Sequence, residues 1–252
     1  VPEAEILAAL AVGDASAERS TVTPGAWRVS GSAQILRNLA SEGKVYLQDE
    51  ASQLLAQIVD PQPSERVLDL CAAPGGKATH LAGLAGDRAM IVAADVSPRR
   101  LQTVASSVAL QQLKSVEVLR LDAGKPLPFT ESSFDRVLVD APCSGTGTLR
   151  RNPEIRWRLT PHDVRDLSEQ QRLFLSNAAK MVKPGGKLVY STCSVEWEEN
   201  EEVVSSFLRD SEHFNQIPAT VEGSLLTDSG AVRTWPQHQG TDGFFIAVFE
   251  RR

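Results

Sequence analysis

Two cysteines in short motifs are the residues best suited to chemistry: Cys143 in Asp140-Ala141-Pro142-Cys143-Ser144-Gly145 and Cys193 in Ser191-Thr192-Cys193-Ser194. A thiolate is intrinsically a strong nucleophile, and a nearby thiol or acid can manage its protons. For both the alternative is a small buried hydrophobe, the commonest state of a free cysteine. At Cys143, Pro142 and Gly145 also suit a plain turn. Upstream lies Asp69-Leu70-Cys71-Ala72-Ala73-Pro74-Gly75-Gly76-Lys77. Its small residues let a ligand approach the backbone, and Cys71 has no chemistry there beyond its main chain. A ligand turn followed by two thiols points to covalent catalysis on a base that is hard to alkylate.

The elements that must position these groups alternate between strand and helix patterns. Arg66 to Leu70, Met90 to Ala94, Val116 to Leu121, Phe134 to Val139 and Lys187 to Ser191 read as strands. Gly243 to Phe249 reads as a last one. Asp49, Ser97-Pro98 and Thr160-Pro161 are helix starts, the last two with proline in the first turn. The three helices run on through Ile58, to about Leu110, and through Met181, where Pro184-Gly185-Gly186 is expected to end the third. Lys77 to Leu84 and Glu198 to Leu208 read as further helices. Residues 1–45 are weakly patterned, with helix fragments at Ile6 to Val12 and Ala33 to Ala40. Lys44 to Leu47 reads as a short strand. Alternation of this kind implies an α/β fold with a mostly parallel sheet, helices on both faces, and ligands beyond the carboxyl ends of the strands. Asp69, Asp95, Asp122, Asp140 and Cys193 all fall at or just after a predicted strand end.

Composition bounds the function. The chain has 252 residues, 42% hydrophobic and 23% charged, enough for one large α/β domain and a small attachment. No apolar run approaches the ~20 residues of a bilayer span. Three cysteines with no Cys-x-x-Cys pair argue against a metal site and against disulfide partners, and fit a reducing cytoplasm. Val1 stands where an initiator Met is expected, consistent with a trimmed chain whose upstream domain is missing. The net charge of −6 means that any nucleic-acid contact must come from a local basic patch.

The turn at residues 71–77 lacks Gly-x4-Gly-Lys-Ser/Thr and Gly-x-Gly-x-x-Gly, so neither a phosphate loop nor a dinucleotide fingerprint is present. Asp95 suits ribose hydroxyls and Asp122 a nucleobase edge; a helix cap and a turn acid are the respective alternatives. Together, on consecutive strand ends, they favour a nucleoside cofactor without phosphates, S-adenosyl-L-methionine.

The three motifs, intact and in this order, resemble those of the Sun-type RNA 5-methylcytosine methyltransferases (the RsmB/Fmu-like, NSUN-related group), from about Gln48 to Phe245. The resemblance implies a Rossmann-like class I methyltransferase sheet with an antiparallel last strand, occupying 46–252. It implies that residues 1–45 are a small N-terminal subdomain, the remnant of a larger RNA-binding region. It implies that Cys71, Ala72, Ala73, Pro74, Gly75, Gly76 and Lys77 cradle S-adenosylmethionine, with Asp95, Asp122 and Asp140 completing the site. Cys193 would be the nucleophile and Cys143 the thiol that assists product release. The implied substrate is RNA, rRNA first and tRNA second.

Two thiols suit that chemistry. Cytosine C5 is a poor nucleophile until a thiolate adds at C6. Asp140, three residues before Cys143, could hydrogen-bond the pyrimidine edge. The stretch Arg150-Arg151-Asn152-Pro153-Glu154-Ile155-Arg156-Trp157-Arg158 sets four arginines against one glutamate beside the catalytic loop. Arg150, Arg151, Arg156 and Arg158 could bind phosphate and Trp157 could stack on a base; a solvated charge cluster with an inward Trp157 is the alternative. DNA cytosine methylation would call for Pro-Cys-Gln, and amino-directed adenine methylation for an Asp/Asn-Pro-Pro-aromatic loop; neither occurs. A non-catalytic RNA-binding module with this fold is the rival from another class.

Overall fold

The computed structural model describes all 252 residues. The first part of the chain holds α1 (Glu3–Val12), β1 (Ala15–Arg19), β2 (Trp27–Gly31) and α2 (Ala33–Ser41). Next come α3 (Glu50–Val59), β3 (Arg66–Leu70), α4 (Gly76–Leu84), β4 (Met90–Asp95), α5 (Pro98–Leu110), β5 (Val116–Arg120) and β6 (Phe134–Asp140). The remainder is α6 (Ile155–Arg158), α7 (Pro161–Ala179), β7 (Val182–Thr192), α8 (Glu201–Asp210), β8 (Phe214–Ile217), β9 (Val232–Thr234), α9 (Pro236–Gln239) and β10 (Phe244–Arg251).

The helix starts follow from side-chain capping. Asp49 accepts from the Ala51 N–H, Ser97 from that of Arg100, and Thr160 forms a reciprocal capping box with Asp163. Strands β5-β4-β3-β6-β7 are parallel neighbours in that order, and β10 runs antiparallel beside β7. The edge strand β8 and the short β9 both pair antiparallel with β10. The fold is therefore α/β, mostly parallel with an antiparallel last strand, as expected. Because the chain winds outward from β3 to β5 and returns at β6, the crevice of the sheet opens between the ends of β3 and β6.

Alternating residues of the central strands feed two cores. On one face Val137, Val139, Leu188 and Tyr190 pack with Phe174 and Leu175 of α7 and Phe207 of α8. On the other, Leu138, Val189 and Ile246 pack with Leu55 of α3, Leu81 of α4 and Val104 of α5. Each face is thus covered by helices, which is why these strands read as continuous apolar runs.

Three local expectations are corrected. Lys44 to Leu47 is not a strand; the segment has no ladder partner and lays Tyr46 against Gly76, where an added Cβ would sit 2.5 Å from the Tyr46 ring. Pro184-Gly185-Gly186 does not end α7, which stops at Ala179; these residues form a bulge inside β7. Val182 pairs with Phe134 while Lys187 already pairs with Arg136, and Gly185 takes the left-handed φ of +76° that the extra residues require. The helix expected from Glu198 is broken at Asn200, where a 3-10 turn over Trp197–Glu199 gives way to α8. β1 and β2 form a separate two-stranded antiparallel sheet that the polar, half-exposed sequence did not announce.

Leu138 is fully buried at the centre of β6. Leu138→Ala is expected to lower the unfolding free energy by about 2–5 kcal/mol in urea titration.

Candidate active site

Parallel pairing of β6 with β7 sets Asp140 opposite Ser191. Two loops therefore leave the sheet side by side, and they bring Cys143 Sγ to 3.4 Å from Cys193 Sγ. Both thiols are partly exposed, so neither is a sealed core residue. The Gly147 N–H donates to the Cys193 carbonyl at 2.9 Å, and the Gly243 N–H to the Gly147 carbonyl at 2.8 Å. A Cβ on Gly147 would lie 2.1 Å from the Gly243 oxygen, so backbone touches backbone there and only glycine fits.

The electrostatics separate the two sulfurs. The hydrogen bond from Cys143 and the Lys77 charge hold the Cys193 thiol below its ordinary range, against burial and the Asp140 charge. The same hydrogen bond, followed by burial and the charges of Cys193 and Glu199, pushes Cys143 well above it. Of the two sulfurs, Cys193 is thus the more easily deprotonated and Cys143 the one held as a thiol beside it. Lys77 Nζ lies 2.8 Å from Asp140 Oδ2, and Ser191 Oγ donates to Asp140 Oδ1 at 2.7 Å. Burial opposes the Lys77 charge, but Asp140 and Asp69 outweigh it and raise the ammonium's pKa. Asp69 is fully buried, and neither carboxyl oxygen has a hydrogen-bond partner. Burial, reinforced by Asp140, pushes its pKa up to about 7 despite the opposing Lys77 charge.

The glycine turn leaves β3 and opens α4. Gly75 has φ +110°, and a Cβ there would press on the Val104 backbone at 3.0 Å. Burial, then the acids Asp140, Asp69 and Asp95, drive the Cys71 thiol well up, so this third cysteine stays protonated. A cavity beside the turn is lined by Cys71, Asp95, Val96, Asp122, Pro142 and Phe174. Asp95 Oδ1 accepts from the Ser97 N–H at 2.9 Å, and Arg100 lies 3.5 Å from Oδ2. Asp122 Oδ1 accepts from the Gly124 N–H at 2.9 Å. Asp122 thus makes the turn contact that was its alternative, whereas Asp95 is not the helix cap, a role Ser97 takes; both acids line the cavity. Ala72, Ala73 and Pro74 complete the turn, and Arg100 donates to the Ala73 carbonyl.

The basic stretch divides. Arg150 donates to Asp242, Asp49 and the Gly240 carbonyl, and Arg151 donates to Asp242. These two therefore also anchor the 240–243 loop through Asp242, remote in sequence and fully buried, while their side chains stay partly exposed. Arg156, Trp157 and Arg158 lie on the exposed α6, no carboxylate pairs with either arginine, and Trp157 is 84% exposed. The inward-packed alternative for Trp157 is ruled out.

Glu199 and Asn200 were not foreseen as part of the site. They sit in an acidic run, yet both are fully buried. Glu199 accepts from the Ser144 N–H (2.9 Å) and from the Ser144 hydroxyl. No helix is long and apolar enough to cross a membrane, and no cluster of His, Cys, Asp or Glu could hold a metal ion.

The chain is similar to known proteins in sequence and fold. Residues 56–250 match the family model described as 16S rRNA methyltransferase RsmB/F. The chain is 42% identical over 217 residues to a probable ribosomal RNA small subunit methyltransferase B of Synechocystis sp., covering 84% of this chain and 48% of that protein. It thus spans about half the length of the curated relatives it matches. Among solved structures, PH0851 superposes with a TM-score of 0.94 at 38% identity, over 100% of this chain and 57% of that one. NSun6 of Pyrococcus horikoshii with SFG gives 0.78 at 30%, over 84% and 54%. With a family model spanning most of its length, including the glycine turn and both thiol loops, this chain belongs to the RsmB/F family of 16S rRNA methyltransferases.

Proposed function

We propose that the chain methylates C5 of a cytosine in small-subunit rRNA, using S-adenosylmethionine, through a transient bond between Cys193 Sγ and C6 of the base. The observation that carries this reading is the 3.4 Å approach of two sulfurs of opposite protonation preference at the end of the sheet. The rRNA target follows from the family and from the relatives' names. The remaining 46–252 residues act as the methyltransferase domain, with 1–45 as a small subdomain beside it.

The cavity fits the cofactor. Two carboxylates on adjacent strand ends offer acceptors for hydroxyl and amino groups, while Val96, Pro142 and Phe174 provide an apolar slot for a flat base. Residues 71–77 would hold its amino-acid end, Asp95 the ribose and Asp122 the base edge, with Asp140 closing the site. When bound, S-adenosylmethionine supplies a sulfonium methyl, which a carbon nucleophile can accept. Cys193 adds to C6 and pushes electron density to C5. Asp140, fixed by Lys77 and Ser191, accepts a hydrogen bond from the pyrimidine edge. Once C5 is methylated its proton passes to solvent water, the C5–H electrons restore the C5–C6 double bond, and the C6–S bond breaks with its electrons returning to Cys193. Cys143 stabilises that departing thiolate by donating its S–H, which is how it assists release. Arg156 and Arg158 contact phosphate and Trp157 stacks on a base; the target must leave its stack to reach the sulfurs.

Cys193→Ser is expected to abolish methyl transfer to unmodified small-subunit rRNA while calorimetric binding of S-adenosylmethionine persists; turnover by that variant would reject the assignment. Cys143→Ala should accumulate a denaturant-resistant protein–RNA adduct on gels, and accumulation by Cys193→Ala instead would exchange the two roles. Asp95→Ala should weaken S-adenosylmethionine binding by at least about tenfold, the scale of losing a charged hydrogen-bond acceptor. Unchanged affinity would leave Asp95 with its turn contact alone.

A further inference from the structure

Four residues flank the two thiols, and a single dipeptide reaches three of them. On the Cys143 side, Glu199 Oε1 accepts from the Ser144 N–H at 2.9 Å, and Oε2 accepts from the Ser144 hydroxyl. Gln171 Nε2 donates both to Glu199 Oε1 and to the Pro142 carbonyl, each at 2.9 Å, so the residue before Cys143 is tied to the same carboxylate. On the Cys193 side, Asn200 Oδ1 accepts from the Thr192 hydroxyl at 2.6 Å, and Asn200 Nδ2 donates to the Ser194 carbonyl at 2.9 Å. The loops are bridged directly by Ser144 Oγ and Ser194 Oγ, 3.0 Å apart. Glu199 and Asn200 are fully buried, and no cation pairs with Glu199; its charge is held by these donors alone. A buried carboxylate so placed is costly unless every partner is in position.

We propose that Glu199 and Asn200 are one positioning unit: Glu199 holds the Cys143 loop, Asn200 holds the Cys193 loop, and their adjacency in the chain sets the distance at which the Cys143 thiol serves the Cys193 sulfur. The break between the 3-10 turn and α8 at Asn200, with φ −117° and ψ −93°, lets neighbouring side chains reach two different loops. The inference rests on the two sulfurs being a working pair, as in the function proposed above.

The test reads sulfur chemistry alone. Iodoacetamide alkylation of Cys193, followed by peptide mass spectrometry across pH, reports its thiolate fraction without RNA or S-adenosylmethionine. Cys193 faces Cys143, Asp140 and Lys77; Cys143 faces Cys193, Glu199 and the Tyr190 hydroxyl. Cys143→Ala defines the profile of Cys193 without its donor. Glu199→Ala and Asn200→Asp are expected to reproduce that profile, with alkylation at pH 7 falling about tenfold for each pH unit the midpoint rises. In Asn200→Asp a carboxylate oxygen would face the Ser194 carbonyl, where a donor is needed. Glu199→Gln keeps an acceptor for Ser144 N–H and Gln171 and offers its amide N–H to the Ser144 hydroxyl, so it should retain the wild-type profile.

A Glu199→Ala protein with native circular dichroism and an unshifted Cys193 profile would overturn the proposal, as would a Glu199→Gln shift equal to that of alanine. Should Glu199→Ala not fold, Ser144→Ala removes only the hydroxyl between Glu199 and Ser194. It should move the midpoint in the same direction by a smaller amount, and no movement would overturn the proposal. Because the readout needs no methyl transfer, loss of the proposed activity in any assay leaves this result independently readable.

Discussion

The register of β6 on β7 is the constraint from which the rest of the site follows. With Asp140 opposite Ser191, the chain leaves both strands at the same height, and Cys143 and Cys193 cannot avoid one another. A slip in this pairing would carry the loops apart and turn residues meant for one core toward the other. The register is secured from within. Val137 and Val139 belong to one core, Leu138 to the other, and all three are fully buried. Outside the strands, the Gly147 contacts to Cys193 and Gly243 continue the alignment into irregular structure.

The second constraint is charge. Asp69, Asp95 and Asp140 crowd the ends of β3, β4 and β6, and this acidic field would by itself oppose a thiolate. Lys77, carried on the first turn of α4 straight from the glycine turn, relieves it by pairing with Asp140. The segment that shapes a ligand pocket thus also supplies the cation beside the sulfurs. Cys71, in the same field but without a hydrogen-bond donor of its own, is driven the other way. Three cysteines of one chain are thus pushed in different directions by what stands beside each.

Much of this was legible in the residues. Helix starts at Asp49, Ser97 and Thr160 carry their signal locally, in a side chain that caps the next turn. The buried parallel strands announce themselves as apolar runs. What escaped was whatever depends on distant partners. The anchoring of Arg150 and Arg151 to Asp242 escaped because Asp242 lies about ninety residues away along the chain. Glu199 and Asn200 carried no signal in their acidic surroundings, and only the folded loops reveal their hydrogen-bond partners. β8 and β9 are short edge strands whose pattern is too brief to register. Pro184-Gly185-Gly186 has the composition of a stop signal, but β6 pairs on either side of it, so it becomes a bulge.

The backbone contact at Gly147 also partitions the loop by its tolerance of substitution. Ser144, Gly145, Gly147 and Thr148 are buried, with Gly147 against other main chain and Ser144 on the Glu199 carboxylate, so most substitutions there would disturb the fold. From Asn152 to Arg158 it projects outward, with its side chains largely in solvent. Substitutions should therefore be tolerated in a window a few residues wide, immediately downstream of the close backbone contact at Gly147.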